Sequence, residues 1–208
     1  MPKRFISRLE ASVGMNLSKP YGSYFSANME TVRPKTGYAF GLSASHDFTR
    51  IVSVDVAVLY EAKNYDTSRD RLDQSLDPPE NYNILDENGL RYLTLSALTN
   101  FRIGKSSKFF LGVGGYYSFL RGVEVAQTVT YNGVVRIYGF STSTIDTEDS
   151  DHGLILSLKY RYPLNEKFDV AIQLLNALGL YDITTNPLPL VVIKNNTYSL
   201  TIGITLKK

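Results

Sequence analysis

Residues 152–174, which read HGLILSLKYRYPLNEKFDVAIQL, contain two segments in which every second residue is apolar or aromatic. The first segment carries this face on Leu154, Leu156, Leu158, Tyr160 and Tyr162, and the second carries it on Phe168, Val170, Ile172 and Leu174. A period of two is typical of β-strands, so the short turn PLNEK between the segments predicts a hairpin. The alternation alone does not tell whether the apolar face packs into a soluble core or contacts lipid.

The composition narrows the class of protein. The chain has 208 residues, a length that suits one domain, and its net charge of +2 comes from scattered Lys and Arg rather than a basic run, which argues against a nucleic-acid partner. It has no Cys, so disulfides and thiolate metal sites are excluded. Its 15 Tyr and 10 Phe are typical of strands, and no stretch has the length of apolar residues that a membrane-spanning helix needs.

The period-two pattern predicts eight strands, over residues 5–17, 37–48, 51–63, 90–103, 108–120, 153–162, 167–181 and 196–207. Short connections (49–50, 104–107, 163–166) alternate with long ones (18–36, 64–89, 121–152, 182–195). This alternation is typical of an antiparallel up-and-down transmembrane β-barrel. We therefore expect one all-β domain over 1–208, with short periplasmic turns and the four long loops extracellular. Asn132-Gly133, between two β-rich runs, predicts a hairpin at 123–140 inside the third long loop.

The number of apolar side chains predicts which face contacts lipid. More than thirty large apolar residues share one face of the predicted strands. An eight-stranded barrel has an interior that a small number of side chains fills, so these residues must lie outside. The other face carries small residues and charges of both signs, which fits a narrow lumen. Because buried charges need partners, we predict a lumen polar network of Arg8, Glu10, Asp55, Glu61, Arg102, Lys159, Arg161 and Asp169. These side chains leave no room for an open aqueous pore.

Aromatic residues on the apolar face gather near the two ends of the predicted strands. Those at the short-turn end are Phe48, Phe101, Phe109, Tyr160, Tyr162 and Phe168. Those at the loop end are Tyr38, Tyr60, Tyr117, Phe119 and Tyr198. Two aromatic girdles around an apolar band are what the bilayer interfaces favour. The alternative, a soluble lipocalin-like barrel, predicts no such banding.

Three stretches carry a resemblance to a known family: GYAFGLSASHDFTRIVSVDVAVLYEAKNY, RYLTLSALTNFRIGKSSKFFLGVGGYYSFL, and DHGLILSLKYRYPLNEKFDVAIQLLNALGL with the final strand NNTYSLTIGITLKK. They resemble the outer-membrane β-barrel domain of Bacteroidota envelopes, the group that includes PorT-like proteins. The resemblance implies a barrel in the bacterial outer membrane, in contact with its lipid. Members usually end the last strand on an aromatic residue, whereas this chain ends Leu206-Lys207-Lys208. The start, MPKRFISRLEAS, lacks the apolar region of a secretory signal, so we expect a removed signal or a cytosolic protein.

Candidates for chemistry are few. The two histidines are His46 and His152, and His152 lies beside Asp149, Ser150 and Asp151, a combination found in rim-sited outer-membrane enzymes. A run of four acids, Asp146, Glu148, Asp149 and Asp151, could bind a hard cation through oxygen. A solvated loop start with turn-forming residues explains both features as well. We predict no catalytic residue, no metal and no cofactor.

Three functions remain open from the sequence. The first is a non-enzymatic anchor whose long loops, especially 64–89 and 121–152, contact an envelope protein or a glycan. The second is a conduit for a small apolar ligand, for which Leu90, Tyr116, Leu175 and Tyr181 suggest an apolar loop-side lumen. The third is an outer-membrane enzyme at the rim.

Overall fold

The computed structural model describes residues 6–27, 30–75, 78–104, 108–141, 147–184 and 192–207. Its elements are β1 (Arg8–Ser18), α1 (Ser23–Ala27), β2 (Thr31–Asp47), β3 (Val52–Asp73), β4 (Glu80–Arg102), β5 (Phe109–Tyr131), β6 (Val134–Ser141), β7 (Ser150–Pro163), β8 (Phe168–Gly179) and β9 (Asn196–Lys207). No helix in these ranges has the length and apolar character needed to cross a membrane.

The strands form one antiparallel sheet that closes on itself. Each strand of the ring pairs with its neighbours in the order β1-β2-β3-β4-β5-β7-β8-β9, and β9 pairs with β1 to complete it. β5 pairs with two strands in turn. Its N-terminal part, Phe109–Phe119, pairs with β7, and its C-terminal part, Val125–Tyr131, pairs with β6. The predicted eight-stranded up-and-down barrel is therefore confirmed, and closure leaves no free edge in the ring, as lipid requires.

The strands of the ring differ in length. β3, β4 and β5 have 22, 23 and 23 residues, whereas β1, β8 and β9 have 11, 12 and 12. The expected loop over 64–89 is therefore wrong for most of its length, because the β3–β4 ladder continues from Asn64↔Gly89 to Asp73↔Glu80. The polar residues of 64–89 indicated a loop, but strands that are surrounded by water are also rich in polar residues. We call residues 31–36, 64–73, 80–91 and 121–131, with β6, the raised wall.

The other connections also differ in detail from the expectation. Residues 18–36 contain α1 and the start of β2, and β7 begins at Ser150 rather than 153. Residues 105–107 of the predicted turn, and 142–146 and 185–191 of two predicted loops, lie outside the described residues.

Side-chain exposure agrees with the predicted facing. Val13, Leu156 and Ile202 expose 64%, 60% and 54% of their surface, while Ser157 and Thr205 are buried. A soluble barrel would bury the first group and expose the second, so the lipocalin-like alternative is wrong.

A loop cap covers the long-loop end of the lumen. It consists of residues 19–27, 180–184 and 192–195. Its buried Phe25, Ile183 and Ile193 pack on Leu90 and Val123, which point inward from the raised wall, and on Tyr92. Two backbone hydrogen bonds between Tyr21 and Lys194, of 2.9 and 2.8 Å, hold its two halves together. A second apolar layer lies deeper in the lumen and contains Leu98, Tyr116, Ile155, Ala177 and Leu175.

The predicted hairpin at 123–140 is confirmed, as β5 turns into β6 at Asn132-Gly133. Both turn residues have positive φ, 46° and 81°, as a type I′ turn requires. We expect Gly133→Ala to weaken this hairpin by about 1–2 kcal/mol, because a side chain is disfavoured in the left-handed region. Faster hydrogen exchange of the β5–β6 amides, with the barrel amides unchanged, would report this.

Gly139→Ala is the matched control for that substitution. A Cβ there also meets open space, and Gly139 has no positive φ. Equal exchange in the two variants would contradict a conformational role for Gly133.

Candidate functional site

A polar cluster fills the lumen in the half nearer the short turns. Lys159 Nζ lies 2.9 Å from Asp55 Oδ2 and 3.4 Å from Glu10 Oε2, and Arg161 Nη2 donates to Asp55 Oδ2 at 3.4 Å. The Thr205 hydroxyl donates to Glu10 at 2.9 Å. All five residues sit at alternate, inward-facing positions of their strands and are buried. We call Glu10, Asp55, Lys159 and Arg161 the lower cluster.

A second polar cluster lies beneath the loop cap. Lys63 Nζ is 3.2 Å from Asp151 Oδ2 and 3.5 Å from Glu61 Oε1, and it lies over the rings of Tyr92 and Tyr116 at 4.7 and 5.1 Å. Lys63 is 1% exposed and Asp151 is fully buried. We call Glu61, Lys63, Tyr92, Tyr116 and Asp151 the upper cluster.

The upper cluster also fastens the loop cap. Asp151 accepts a hydrogen bond of 3.0 Å from the Asn195 side chain, in addition to those from Lys63 and from the Tyr116 hydroxyl. The Tyr21 hydroxyl donates to the Gly179 carbonyl at 2.7 Å, and partial burial raises the pKa of Tyr21, so it remains a donor at neutral pH. Polar and apolar contacts together hold the cap on the lumen.

The structure distributes the eight predicted lumen residues over several sites. Glu10, Asp55, Lys159 and Arg161 meet in the lower cluster, and Glu61 belongs to the upper cluster. The other three lie at the short-turn mouth, where Arg8 pairs with Asp47 at 2.6 Å, Asp169 pairs with Lys207 at 2.9 Å, and Arg102 lies 5.3 Å from the Phe110 ring centre. The single network expected from the sequence is therefore divided into two clusters and two rim pairs, with Arg102 in none of them.

Sequence reasoning missed Lys63 and gave Asp151 to a loop. The signal was present, since Lys63 continues the inward positions of Asp55 and Glu61, and Asp151 continues those of Lys159 and Arg161. For Asp151, using it required a strand longer than the predicted 153–162, whereas Lys63 is the last residue of the predicted strand 51–63. The apolar lumen residues Leu90 and Tyr116 are buried and Leu175 is partly buried, but Tyr181 is 46% exposed outside.

The structure separates His152 from the neighbouring Asp151. His152 stacks between the rings of Tyr117 and Tyr181, at 5.8 and 4.7 Å, on the outer face of the barrel. Asp151 points into the lumen, so the two side chains lie on opposite sides of the wall. Asp146 lies outside the described residues, and within the described ranges no group of three or more His, Asp or Glu could hold a metal ion.

The eleven predicted interface aromatics were Tyr38, Phe48, Tyr60, Phe101, Phe109, Tyr117, Phe119, Tyr160, Tyr162, Phe168 and Tyr198. Nine of them are exposed, and Tyr60 and Tyr160 are half-buried because their rings pack on those of Phe40 and Phe109, at 5.3 and 4.8 Å. Such rings offer the mixed polar and apolar character of a bilayer interface.

The outer face of the raised wall carries ion pairs in water. Lys35 bridges Asp66 and Glu87, at 3.2 and 2.5 Å, and Arg91 pairs with Glu124. The hydrogen bond with Glu87 is the main cause of the raised pKa of Lys35, which therefore stays charged at neutral pH. This face is hydrophilic, unlike the apolar band below it.

Residues 4–184 match the family described as the outer membrane protein β-barrel domain. Among solved structures, the chain is similar to OprG of Pseudomonas aeruginosa, with a TM-score of 0.51 and 14% identity over 99% of this chain and 97% of that one. It is also similar to Neisserial surface protein A, with a TM-score of 0.46 and 15% identity over 96% and 97% of the two chains. Ail of Yersinia pestis, solved with the heparin analogue sucrose octasulfate, gives a TM-score of 0.39 and 12% identity over 96% and 99%. At these identities the likeness concerns the fold. No curated protein matches the chain in sequence.

Proposed function

Because this chain belongs to the outer membrane protein β-barrel domain family and is a protein of the bacterial outer membrane, we propose that it is a non-enzymatic anchor whose raised wall binds a protein partner outside the membrane. The proposal places the short turns in the periplasm and the raised wall and loop cap at the cell surface. It also places the chain in the PorT-like group of Bacteroidota, on the resemblance described above.

The observation that carries the proposal is the length of β3, β4 and β5. A tilted strand needs about 9–11 residues to cross the hydrocarbon core. β4 and β5 each have 23 residues, so roughly half of each strand projects beyond the apolar band. A sheet of this length in water is more than is needed to connect two strands, and it offers a rigid surface for binding.

A protein partner is favoured over a glycan by the edge of the raised wall. Among the described residues, β6 has β5 as its one strand neighbour, so its other backbone edge is available for pairing with an extended segment. Strand addition to such an edge is a common mode of peptide recognition. The charged outer face beside it, with Lys35, Glu87, Arg91 and Glu124, gives a polar rim.

Two trimmed variants test the proposal. Residues 67–86 are replaced by Asn-Gly, which joins the paired Asp66 and Glu87, or residues 128–138 are replaced in the same way between Gln127 and Gly139. We expect both variants to keep the heat-dependent gel mobility of a folded barrel, because the membrane-spanning ring is intact. We expect both to lose the partner that is cross-linked on intact cells.

The site of cross-linking provides the control. A photoreactive amino acid at Val135 on the raised wall should capture the partner, whereas one at Ile51, which is equally exposed in the turn between β2 and β3, should not. Capture from both positions, or undiminished capture through Val135 by the variant that lacks residues 67–86, counts against a binding role for the wall. Binding of a purified glycan in place of a protein would change the class of partner.

A conduit for a small apolar ligand is the second candidate. An apolar groove of about 640 Å³ lies along the wall at Leu156, Leu174, Tyr198 and Leu200 and favours contact with a hydrocarbon chain. However, the ladders β7–β8, β8–β9 and β9–β1 continue without a register shift behind this groove, so the wall has no lateral opening there. The groove therefore supports lipid contact better than transport.

A further inference from the structure

A cavity of about 320 Å³ opens at the short-turn mouth of the barrel and is strongly basic. Its lining residues are Arg8, Arg102, Lys108, Phe110, Arg161, Pro163, Asp169 and Lys207. Five of these side chains are cationic and one is anionic. The cavity is separate from the raised wall and lies at the opposite end of the lumen.

The cations of this mouth exceed the carboxylates that neutralise them. Together with the lower cluster, the described residues here include six cations, Arg8, Arg102, Lys108, Lys159, Arg161 and Lys207, and four carboxylates, Glu10, Asp47, Asp55 and Asp169. All four carboxylates are already in ion pairs, whereas Arg102 and Lys108 form none among the described residues. Two positive charges at the cavity thus remain to be neutralised.

Arg161 also presents hydrogen-bond donors that have no acceptor. The residue is 5% exposed, and its Nη2 donates to Asp55, but its Nε and Nη1 are buried without a partner in the described part of the protein. Nε of Arg102 is likewise buried without a hydrogen-bond partner in the described part of the protein. Because an unsatisfied buried donor costs free energy, a ligand oxygen between these groups would be stabilising.

The guanidinium groups are held in place for such a ligand. Arg161 and Arg102 both lie over the ring of Phe110, with their central carbons 4.8 and 5.3 Å from its centre. Lys108 Nζ lies 4.3 Å from the ring centre of Tyr162, which belongs to the aromatic girdle at this end. Stacking on aromatic rings fixes the cations without neutralising them.

From this geometry we infer that the short-turn mouth is a binding site for a phosphate group. Phosphate carries close to two negative charges at neutral pH and several strong acceptor oxygens, so it matches the two uncompensated cations and the free donors of Arg161 and Arg102. A carboxylate supplies one charge and is a poorer match. The phosphate comes either from a small soluble compound or from a lipid headgroup, which Lys108 can reach because it lies at the girdle.

Isothermal titration of the folded protein in an uncharged detergent at pH 7.5 tests the inference. One arm uses inorganic phosphate and the other uses a short-chain phosphatidic acid, with acetate as the carboxylate comparison. We expect saturable binding in at least one phosphate arm, weaker acetate binding, and an affinity lower by roughly tenfold or more in Arg102→Gln, as loss of a charge-assisted hydrogen bond implies. Binding of phosphatidic acid without inorganic phosphate assigns the site to lipid.

Arg161→Gln provides a second variant, which removes the buried donors while Lys159 still pairs with Asp55. Arg121→Gln is the matched control, since it makes the same charge change near Phe119 at the opposite end of the barrel. Heat-dependent gel mobility verifies that each variant is folded. Absence of saturable binding in both phosphate arms overturns the inference, and so does equal phosphate affinity of Arg102→Gln, Arg161→Gln and Arg121→Gln.

Discussion

Leu156→Arg and Ile202→Arg should each lower the free energy of unfolding by about 2–4 kcal/mol, the cost of a cation at the lipid face near the bilayer midplane. Both side chains are more than half exposed and lie within the apolar band, on β7 and β9 respectively. In the membrane their surroundings are hydrocarbon, in which a guanidinium loses its hydration. The expected loss is large compared with that of a typical exposed substitution.

Reversible unfolding by denaturant in lipid vesicles measures this effect, and the matched control is Val134→Arg. Val134 is 61% exposed, close to the 60% of Leu156, but it lies on β6 in the raised wall. We expect its replacement to change stability by less than about 0.5 kcal/mol, as for an ordinary surface position. Equal, small losses at all three positions would show that the apolar band does not face lipid.

The second large effect is expected at the upper cluster. Lys63→Met should destabilise the barrel by about 3–5 kcal/mol, because it leaves buried carboxylates without a countercharge. Lys63 is the cation that contacts both Glu61 and Asp151, at 3.5 and 3.2 Å, and Asp151 is fully buried. The loop cap should loosen as well, since Asn195 depends on the same Asp151 carboxylate.

Lys35→Met is the control for Lys63→Met, because Lys35 also lies between two carboxylates but its side chain is 41% exposed. An exposed ion pair contributes about 0–1 kcal/mol, so this variant should be nearly as stable as the parent. Adding Asp151→Asn to Lys63→Met should recover part of the lost stability by removing one unpaired charge. If Lys63→Met and Lys35→Met unfold alike, the upper cluster is not a desolvated ion pair.

The membrane-spanning part of the fold was predictable from the residues because one physical rule governs it. Along β7, Leu154 to Tyr162 alternate with Ser157, Lys159 and Arg161, and the same period of two recurs in the other ring strands. A closed eight-stranded barrel then decides the direction of each face, since its interior has no room for so many large side chains. Asn132-Gly133 was equally informative, because its turn type requires positive φ at both positions.

The raised wall and the clusters were harder to predict because they depend on contacts between distant segments. Above the membrane the outer face of the strands carries charged residues such as Asp66 and Glu87, so the apolar outward face that marks the membrane-spanning part is lost there. A contact across the lumen, such as that between Lys63 on β3 and Asp151 on β7, can be predicted only when the strand order and the register are known. The loop cap likewise depends on α1 reaching Ile193, more than 160 positions later in the chain.

The two backbone hydrogen bonds between Tyr21 and Lys194 affect where the barrel begins to unfold. These residues follow the first strand and precede the last, and the Ser18 and Thr197 hydroxyls share a hydrogen bond of 3.0 Å just below them. The β1–β9 seam, the pairing most distant in sequence, is thus locked at its outer end. We therefore expect fraying of this seam to begin at its opposite end, between Arg8 and Lys207.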